Sequence, residues 1–184
     1  MSDAVLVSVA KAITKELDAA FIAGTFGAQY REQRAKRSYA DWDEALEDLD
    51  TLHVDVVPVG PGNPKLVMLT RSAWEYVVSV QIGVRKRFGH TDQDSTTGRI
   101  LAEEIDALIL LLEKIGKYFM PSQTTQTGRR LADMPEAVWM PEVGERERGT
   151  EFQTSFDRDM LRSNRQYIGI VRLTYRVPRN PNEA

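Results

Sequence analysis

The segment at 74–87, WEYVVSVQIGVRKR, alternates between apolar and polar residues along most of its length. Successive side chains of a β-strand point to opposite faces, so this pattern predicts a strand with one face on a core and one polar face. Such a strand reaches about 45 Å at roughly 3.3 Å per residue, whereas five or six residues are usual. We therefore expect it to extend beyond an ordinary domain and to pair or pack with another chain. The apolar face contains Trp74, Tyr76, Val78, Val80, Ile82 and Val84, and the polar face contains Glu75, Ser79, Gln81, Arg85 and Arg87.

Four further segments have clear periodicity. Apolar residues recur every three or four positions at 5–21 and again at 101–119, which predicts two amphipathic helices. The segments at 52–59 and 166–177 predict strands, and residues 66–70 are expected to begin the long strand. The order α-β-β-α-β predicts an α+β fold, in which two main helices pack on one face of a mostly antiparallel sheet, with long loops.

The chain is predicted to form a single domain over residues 1–184. Residues 122–164 contain scattered proline, glycine and charge without a clear period, and are predicted to be a long loop or insertion with one short element around 131–139. Loops of this length inside a domain often carry function. The tail at 178–184 is expected to be unpaired and flexible.

The overall composition excludes several classes of protein. Cysteine is absent, so disulfides and thiolate chemistry are excluded, and a reducing cytosol is compatible with the chain. The formal net charge of −3 does not require a nucleic-acid partner. The N-terminal segment lacks the pattern of a signal peptide, and no apolar run is long enough to cross a bilayer. We therefore expect a soluble protein without a membrane partner.

Catalytic and metal-binding patterns are also weak. The two histidines, His53 and His90, are not accompanied by a nucleophile motif of the GxSxG type. His90 could join Asp92 and Asp94 on a metal, but their spacing matches no known site, and a solvated polar loop is the better interpretation. We predict no catalytic residue, no metal site and no cofactor.

Two other loops do not match the motifs of known ion- or phosphate-binding sites. An EF-hand starting at Asp41 would need glycine at position six and glutamate at position twelve, where Leu46 and Leu52 stand. The glycines at 60 and 62 are interrupted by prolines, which remove the backbone donors that a phosphate-binding loop needs. The acidic run at 41–50, including Asp48 and Asp50, is instead expected on a solvated turn or opposite basic residues of another subunit.

Basic residues are the remaining candidates for a binding surface. Arg85 and Arg87 of the long strand, and Arg172 and Arg176 of the last strand, are predicted to lie on polar faces. If the two strands pair, these arginines form a positive strip that could contact an acidic partner, another subunit or DNA. The alternative is an ordinary exposed sheet face.

In order, these segments resemble the tail terminator proteins of tailed bacteriophages, also called tail-completion or head–tail joining proteins. The resemblance rests on an N-terminal helix, the strand LHVDVVPV at 52–59, a Pro/Gly turn and RSAWEYVVSVQIGV at 71–84. It continues with the helix AEEIDALILLLEKIGKYF at 102–119 and the closing strand YIGIVRLTYRV at 167–177. It is a likeness of order and pattern that covers most of the chain outside 122–164.

This resemblance implies a structural virion protein rather than an enzyme. Proteins of that family form a ring, usually a homohexamer, that caps the tail tube and joins it to the head–tail connector or head-completion protein, with DNA passing through the channel. Assembly would occur in the host cytoplasm and the product would lie at the head–tail junction of the virion. A related alternative is another neck or tail-tube component.

Two alternatives come from other classes. A small cytosolic enzyme could have its site in the 122–164 loop, where Glu142, Glu145, Arg146, Glu147 and Arg148 offer acids and bases. A nucleic-acid-binding module could use the arginine strip, and its affinity would then fall steeply with salt.

Overall fold

The strand predicted at 74–87 spans Ala73–Arg87 and is the longest strand among the described residues. A computed structural model describes residues 4–39, 51–58, 64–70, 73–89, 92–95, 97, 99–120, 130–139, 142–143, 147–148, 150–154, 159, 161 and 165–178. Within these residues the helices are α1 (Val5–Ala23) and α2 (Ala102–Phe119). The strands are β1 (Ala35–Arg37), β2 (Leu52–Pro58), β3 (Lys65–Thr70), β4 (Ala73–Arg87), β5 (Arg130–Leu131), β6 (Met134–Trp139), β7 (Glu142–Val143), β8 (Glu147–Arg148), β9 (Thr150–Thr154) and β10 (Gln166–Pro178).

The two longest strands form the centre of the sheet. β10 pairs antiparallel with β4 in an unbroken register from Gln166 opposite Arg87 to Pro178 opposite Glu75. Among the described residues the main path of the sheet is β1-β2-β4-β10-β6-β5, with β3 added on β4 and β9 added on β10. The pair β1–β2 is parallel, while the other pairs in this sheet are antiparallel. The predicted α+β class with a mostly antiparallel sheet is confirmed.

Both helices contribute to one core on one face of the sheet, which we call the helix face. Leu17 and Phe21 of α1 and Leu112 and Phe119 of α2 are almost completely buried. They belong to the same cluster as the apolar face that was predicted for β4. α1 ends where Gly24 adopts a left-handed conformation with φ of 75°, which glycine adopts without steric cost. The sheet contributes Val54, Val56, Val78, Val80, Ile82, Val84, Tyr167, Val171, Leu173, Tyr175 and Val177 to this core.

A close contact between β10 and α2 depends on a second glycine. A Cβ atom added to Gly169 would lie 2.5 Å from the Tyr167 hydroxyl oxygen and 2.7 Å from Cδ2 of Leu112. Atoms do not approach this closely without displacement, so any larger residue must shift its neighbours. The missing side chain therefore allows Leu112 and Tyr167 to cover the strand.

The order of elements differs from the predicted α-β-β-α-β. Residues 65–70 do not begin the long strand; they form the separate strand β3, which folds back as a hairpin on β4 with Leu66 opposite Tyr76. The segment predicted as a loop at 122–164 contains β5 to β9; β5 and β6 lie where one short element was predicted around 131–139. β6 and β9 pair with β10, while β7 and β8 pair with each other in a separate two-stranded sheet. Strands this short depend on their pairing partners, which the sequence of the strand itself does not reveal. Pro178, the first residue of the predicted tail, is the last residue of β10; residues 179–184 lie outside the described residues.

The long strand does not depend on another chain for its pairing. β10 covers one edge of β4 from Glu75 to Arg87, and the other edge is shared by β2 and β3. The expectation that β4 itself would pair across subunits is therefore not supported by its position, since it is a central strand. Any contact between copies must therefore use side chains on the surface rather than the backbone edges of β4.

Candidate functional site

Arg85 lies in a buried ion pair on the face of the sheet opposite the helices, which we call the reverse face. Its Nε and Nη2 donate hydrogen bonds of 3.1 and 2.8 Å to the same carboxylate oxygen, Oδ2 of Asp55. The side chains of Arg85 and Asp55 are 8% and 7% exposed. A charge-assisted pair with two bonds is strong, and it must offset the cost of removing both charges from water. Arg85 is therefore a structural residue of this sheet, whereas the sequence had placed it on an open polar face.

The other predicted arginines also lie on the reverse face, where Arg87 is two residues from Arg85 on β4 and the two arginines of β10 lie further away. In the β4–β10 register Arg172 is opposite Gln81 and Arg176 is opposite Val77. Gln81 is four residues from Arg85, which corresponds to about 13 Å along the strand. Arg87, Arg172 and Arg176 are half-buried. The structure therefore brings these arginines to one face without forming a continuous strip, and their role as an interface stays a prediction.

The reverse face is also more apolar than its sequence pattern suggested. Ile168 and Ile170 of β10 are 4% and 9% exposed, and Val77 of β4 is 8% exposed. His53 is the direct neighbour of Arg85 on β2; its Nε2 is buried and has no hydrogen-bond partner within the described part of the chain. Asp48 and Asp50, the acidic members of the predicted interface, lie outside the described residues, as does His90.

Lys86 follows Arg85 on β4 and therefore points to the opposite side, the helix face. Its Nζ lies 2.9 Å from Oδ1 of Asp92 and 3.1 Å from Oε2 of Glu104, and 5.4 Å from the centre of the Phe88 ring. Burial alone would lower the pKa of Lys86, but the hydrogen bonds to Asp92 and Glu104 outweigh it, so the pKa is raised. Lys86 is therefore held as a cation and is unsuited to act as a neutral nucleophile.

Both carboxylate oxygens of Asp92 accept hydrogen bonds from residues at the end of β4 and directly after it. Besides the bond to Lys86, its Oδ2 accepts a hydrogen bond of 2.9 Å from the backbone N–H of Gly89. Asp94 accepts hydrogen bonds from the backbone and hydroxyl of Thr97. These contacts give both aspartates roles in shaping the loop before α2. No group of three or more metal-ligating side chains occurs among the residues that the structure describes.

A cleft opens beside Lys86 at the end of the helix face. It has a volume of about 300 Å³ and lies between the 3₁₀ turn Ala28–Tyr30, the residues after that turn, the start of β2, the end of β4 and the first half of α2. Burial raises the pKa of Tyr30. Sequence reasoning missed this site; the available signal was a lysine at a core-facing position of β4. The cleft is lined by Gln29, Tyr30, Glu32, Gln33, Leu52, Lys86, Glu104, Ala107 and Leu108.

A third surface is the helix-side face of the β3–β4 hairpin, which we call the hairpin surface and define by Leu66 and Trp74. These side chains are 40% and 37% exposed. Their register places them on the same side as Tyr76, which packs at the border of the core. Neither Leu66 nor Trp74 belongs to the core cluster. The apolar face of β4 thus continues past the core into solvent.

Comparison with known proteins does not identify the chain. No protein-family model matches it, and a search of curated proteins also finds no match. Within the described residues, no helix is long and apolar enough to cross a membrane. Any functional conclusion must therefore depend on the residues themselves and on the resemblance described above.

Proposed function

We propose that this chain is a tail terminator protein of a tailed bacteriophage, a structural subunit that assembles into a homohexameric ring. The ring would cap the tail tube, join it to the head–tail connector or head-completion protein and surround the channel for DNA. The protein would act at the head–tail junction of the virion. The support from sequence is the ordered resemblance of 52–59, 71–84, 102–119 and 167–177 to this family.

The observation that carries the proposal is the hairpin surface. Leu66 and Trp74 extend the apolar face of the sheet beyond the core that the helices cover. An apolar patch that is exposed to solvent is a candidate for a contact between protein chains. A ring requires each copy to present such a surface to a different surface of its neighbour, because a heterologous contact closes by rotation. We assign the hairpin surface to that contact between copies.

The central pairing of β4 changes how the ring would be held together. Because β4 is paired on both edges within its own chain, a neighbour cannot add a strand to it. The contact would instead use the side chains of the hairpin surface. The ring in this proposal is therefore built from folded subunits that dock.

Native mass spectrometry and negative-stain imaging of the purified protein test the proposal directly. With and without tail-tube protein, we expect a closed ring of six copies, and we expect it at the end of the tube when both proteins are present. A monomer under every condition would contradict the proposal. Stacked rings that lengthen with concentration would instead assign the chain to the tail tube.

A further inference from the structure

The cleft beside Lys86 has the size of a site for one side chain. Its volume of about 300 Å³ is at the lower limit for small-molecule sites, which usually span 300–1,000 Å³. Its floor is apolar, because Leu52, Ala107 and Leu108 line it, and the ring of Tyr30 forms one wall. These groups suit the hydrocarbon part of a long side chain rather than a large cofactor.

The charges around the cleft favour a cation. The ammonium of Lys86 already contacts two carboxylates, Asp92 at 2.9 Å and Glu104 at 3.1 Å. Glu32 is a second carboxylate in the lining besides Glu104, and it is exposed, with no ion pair to any described residue. The one ammonium in the lining is thus paired with two carboxylates, and Glu32 adds a further negative charge to the cleft. This excess of negative charge would repel an incoming anion, because Lys86 is already paired with Asp92 and Glu104.

The surface beside the cleft extends the negative charge. Glu103 and Asp106 of α2 are exposed and form no ion pair with the residues that are described. Two arginines, Arg31 and Arg34, lie in the segment before β1 that also contributes Glu32 and Gln33 to the lining. Arg34 donates from Nη1 to the carbonyl oxygens of Arg31 and Gln33, and the Arg31 guanidinium lies close to Gly24 at the end of α1. Neither arginine neutralises a carboxylate of the cleft.

We propose that this cleft binds an arginine side chain from a basic segment of a partner protein. The hydrocarbon part of the arginine would lie on Leu52 and Leu108. Its guanidinium would reach the free oxygens of Glu32 and Glu104, because a planar guanidinium can donate to two carboxylates at once. Tyr30 would contribute its ring to the cation. This interaction is independent of the ring contact proposed for Leu66 and Trp74.

Isothermal titration of the full-length protein with a capped Gly-Arg-Gly-Arg-Gly peptide tests the inference. Two matched probes are the same peptide with citrulline, which keeps the shape but lacks the charge, and a peptide with glutamate. We expect binding of the arginine peptide alone, with an affinity that falls as salt is raised. Failure to bind, or equal binding of the citrulline peptide, would overturn the proposal.

Variants locate the site. Glu32→Gln leaves the contacts of Lys86 intact, and we expect it to weaken binding by about tenfold, as the loss of one charge-assisted hydrogen bond does. The control is Glu113→Gln, which removes an exposed carboxylate near the other end of α2 and should leave the affinity unchanged. Equal loss in both variants would mean that the peptide senses only the general charge of the protein, and would refute a defined site. The number of subunits in the ring, measured separately by native mass spectrometry, should not change in Glu32→Gln. If the protein forms no ring but still binds the peptide at Glu32, the function proposed above is contradicted and the cleft proposal stands.

Discussion

Arg85 donates two hydrogen bonds to one oxygen of Asp55, and both side chains are more than nine-tenths buried. The pair joins the two neighbouring strands β2 and β4 on the reverse face. The next residue of β4, Lys86, forms a separate ion pair with Asp92 on the helix face. Two consecutive cations of one strand are therefore each neutralised, by carboxylates on opposite sides of the sheet.

Replacing Arg85 by Met should destabilise the protein by about 3–5 kcal/mol, because Asp55 would keep a buried charge without its partner. The double variant Arg85→Met with Asp55→Leu should recover most of this loss, since no uncompensated charge remains. Urea unfolding measures both. Lys117→Met, which breaks an exposed ion pair with Glu113, is the control and should cost less than about 1 kcal/mol. An Arg85→Met variant as stable as this control would contradict the structural role of the pair.

Replacing Gly169 by Ala should destabilise the fold by about 1–3 kcal/mol, because the new methyl group would overlap the Tyr167 hydroxyl and Leu112. Tyr167→Phe removes one of the two obstacles. We therefore expect the double variant to be more stable than the sum of the two single changes, as a double-mutant cycle in thermal unfolding would show. Strict additivity would mean that the strand moves away from α2 instead.

Alkaline pH should weaken the fold through Lys86. Its folded pKa is above the ordinary value of 10.5, so the folded protein holds this proton more tightly than the unfolded chain does. The stabilisation is complete below that ordinary value and is lost as the pH rises through the folded pKa. Lys86→Met should cost about 2–3 kcal/mol at neutral pH, because it leaves Asp92 without its cation. Denaturant titrations should show the gap between wild type and Lys86→Met narrowing above pH 10.5; a constant gap would contradict this role.

Buried tyrosines should add to the alkaline loss. Burial raises the pKa of both Tyr30 and Tyr167 above their ordinary value of 10.0. The folded state therefore favours the neutral form of each hydroxyl. The resulting contribution to the free energy of unfolding is complete below pH 10.0 and is lost as the pH rises through the pKa values of the folded protein. Tyrosinate absorbance should show these two residues ionising late, or only when the protein unfolds.

The hairpin surface should be needed for assembly and dispensable for folding. The double variant Leu66→Ser with Trp74→Ser should reduce the ring to smaller species in native mass spectrometry, while its free energy of unfolding changes by about 1 kcal/mol or less. Leu110→Ser changes a leucine of α2 that is 51% exposed, and it should leave the ring intact. Rings that persist in the double variant would remove the hairpin from the subunit contact.

The sequence predicted the elements that have a strong internal period. The apolar stripes of α1 and α2 and the alternation of β4 each require a core on one side, so their positions were confirmed within one or two residues. Of β5 to β9, the sequence predicted only one short element around 131–139, where β5 and β6 lie. The strands β7 to β9 were missed because such short strands depend on their pairing partners, and a partner elsewhere in the chain leaves no period in the strand that it supports. The alternation of β4 also assigns Lys86 to the helix face, but its partners Asp92 and Glu104 lie outside β4, so no pattern within the strand reveals that this charge is paired.

The opposite orientation of Arg85 and Lys86 has a consequence for how the chain avoids misfolding. If β4 slipped by one position against β2 and β10, the valines of the helix face would turn outward. Arg85 would then lie among the groups that hold Lys86, and Asp55 would lose its two-bond partner. A single misalignment thus breaks two ionic contacts together with the core, so charge and hydrophobicity both select the same alignment of the central strands.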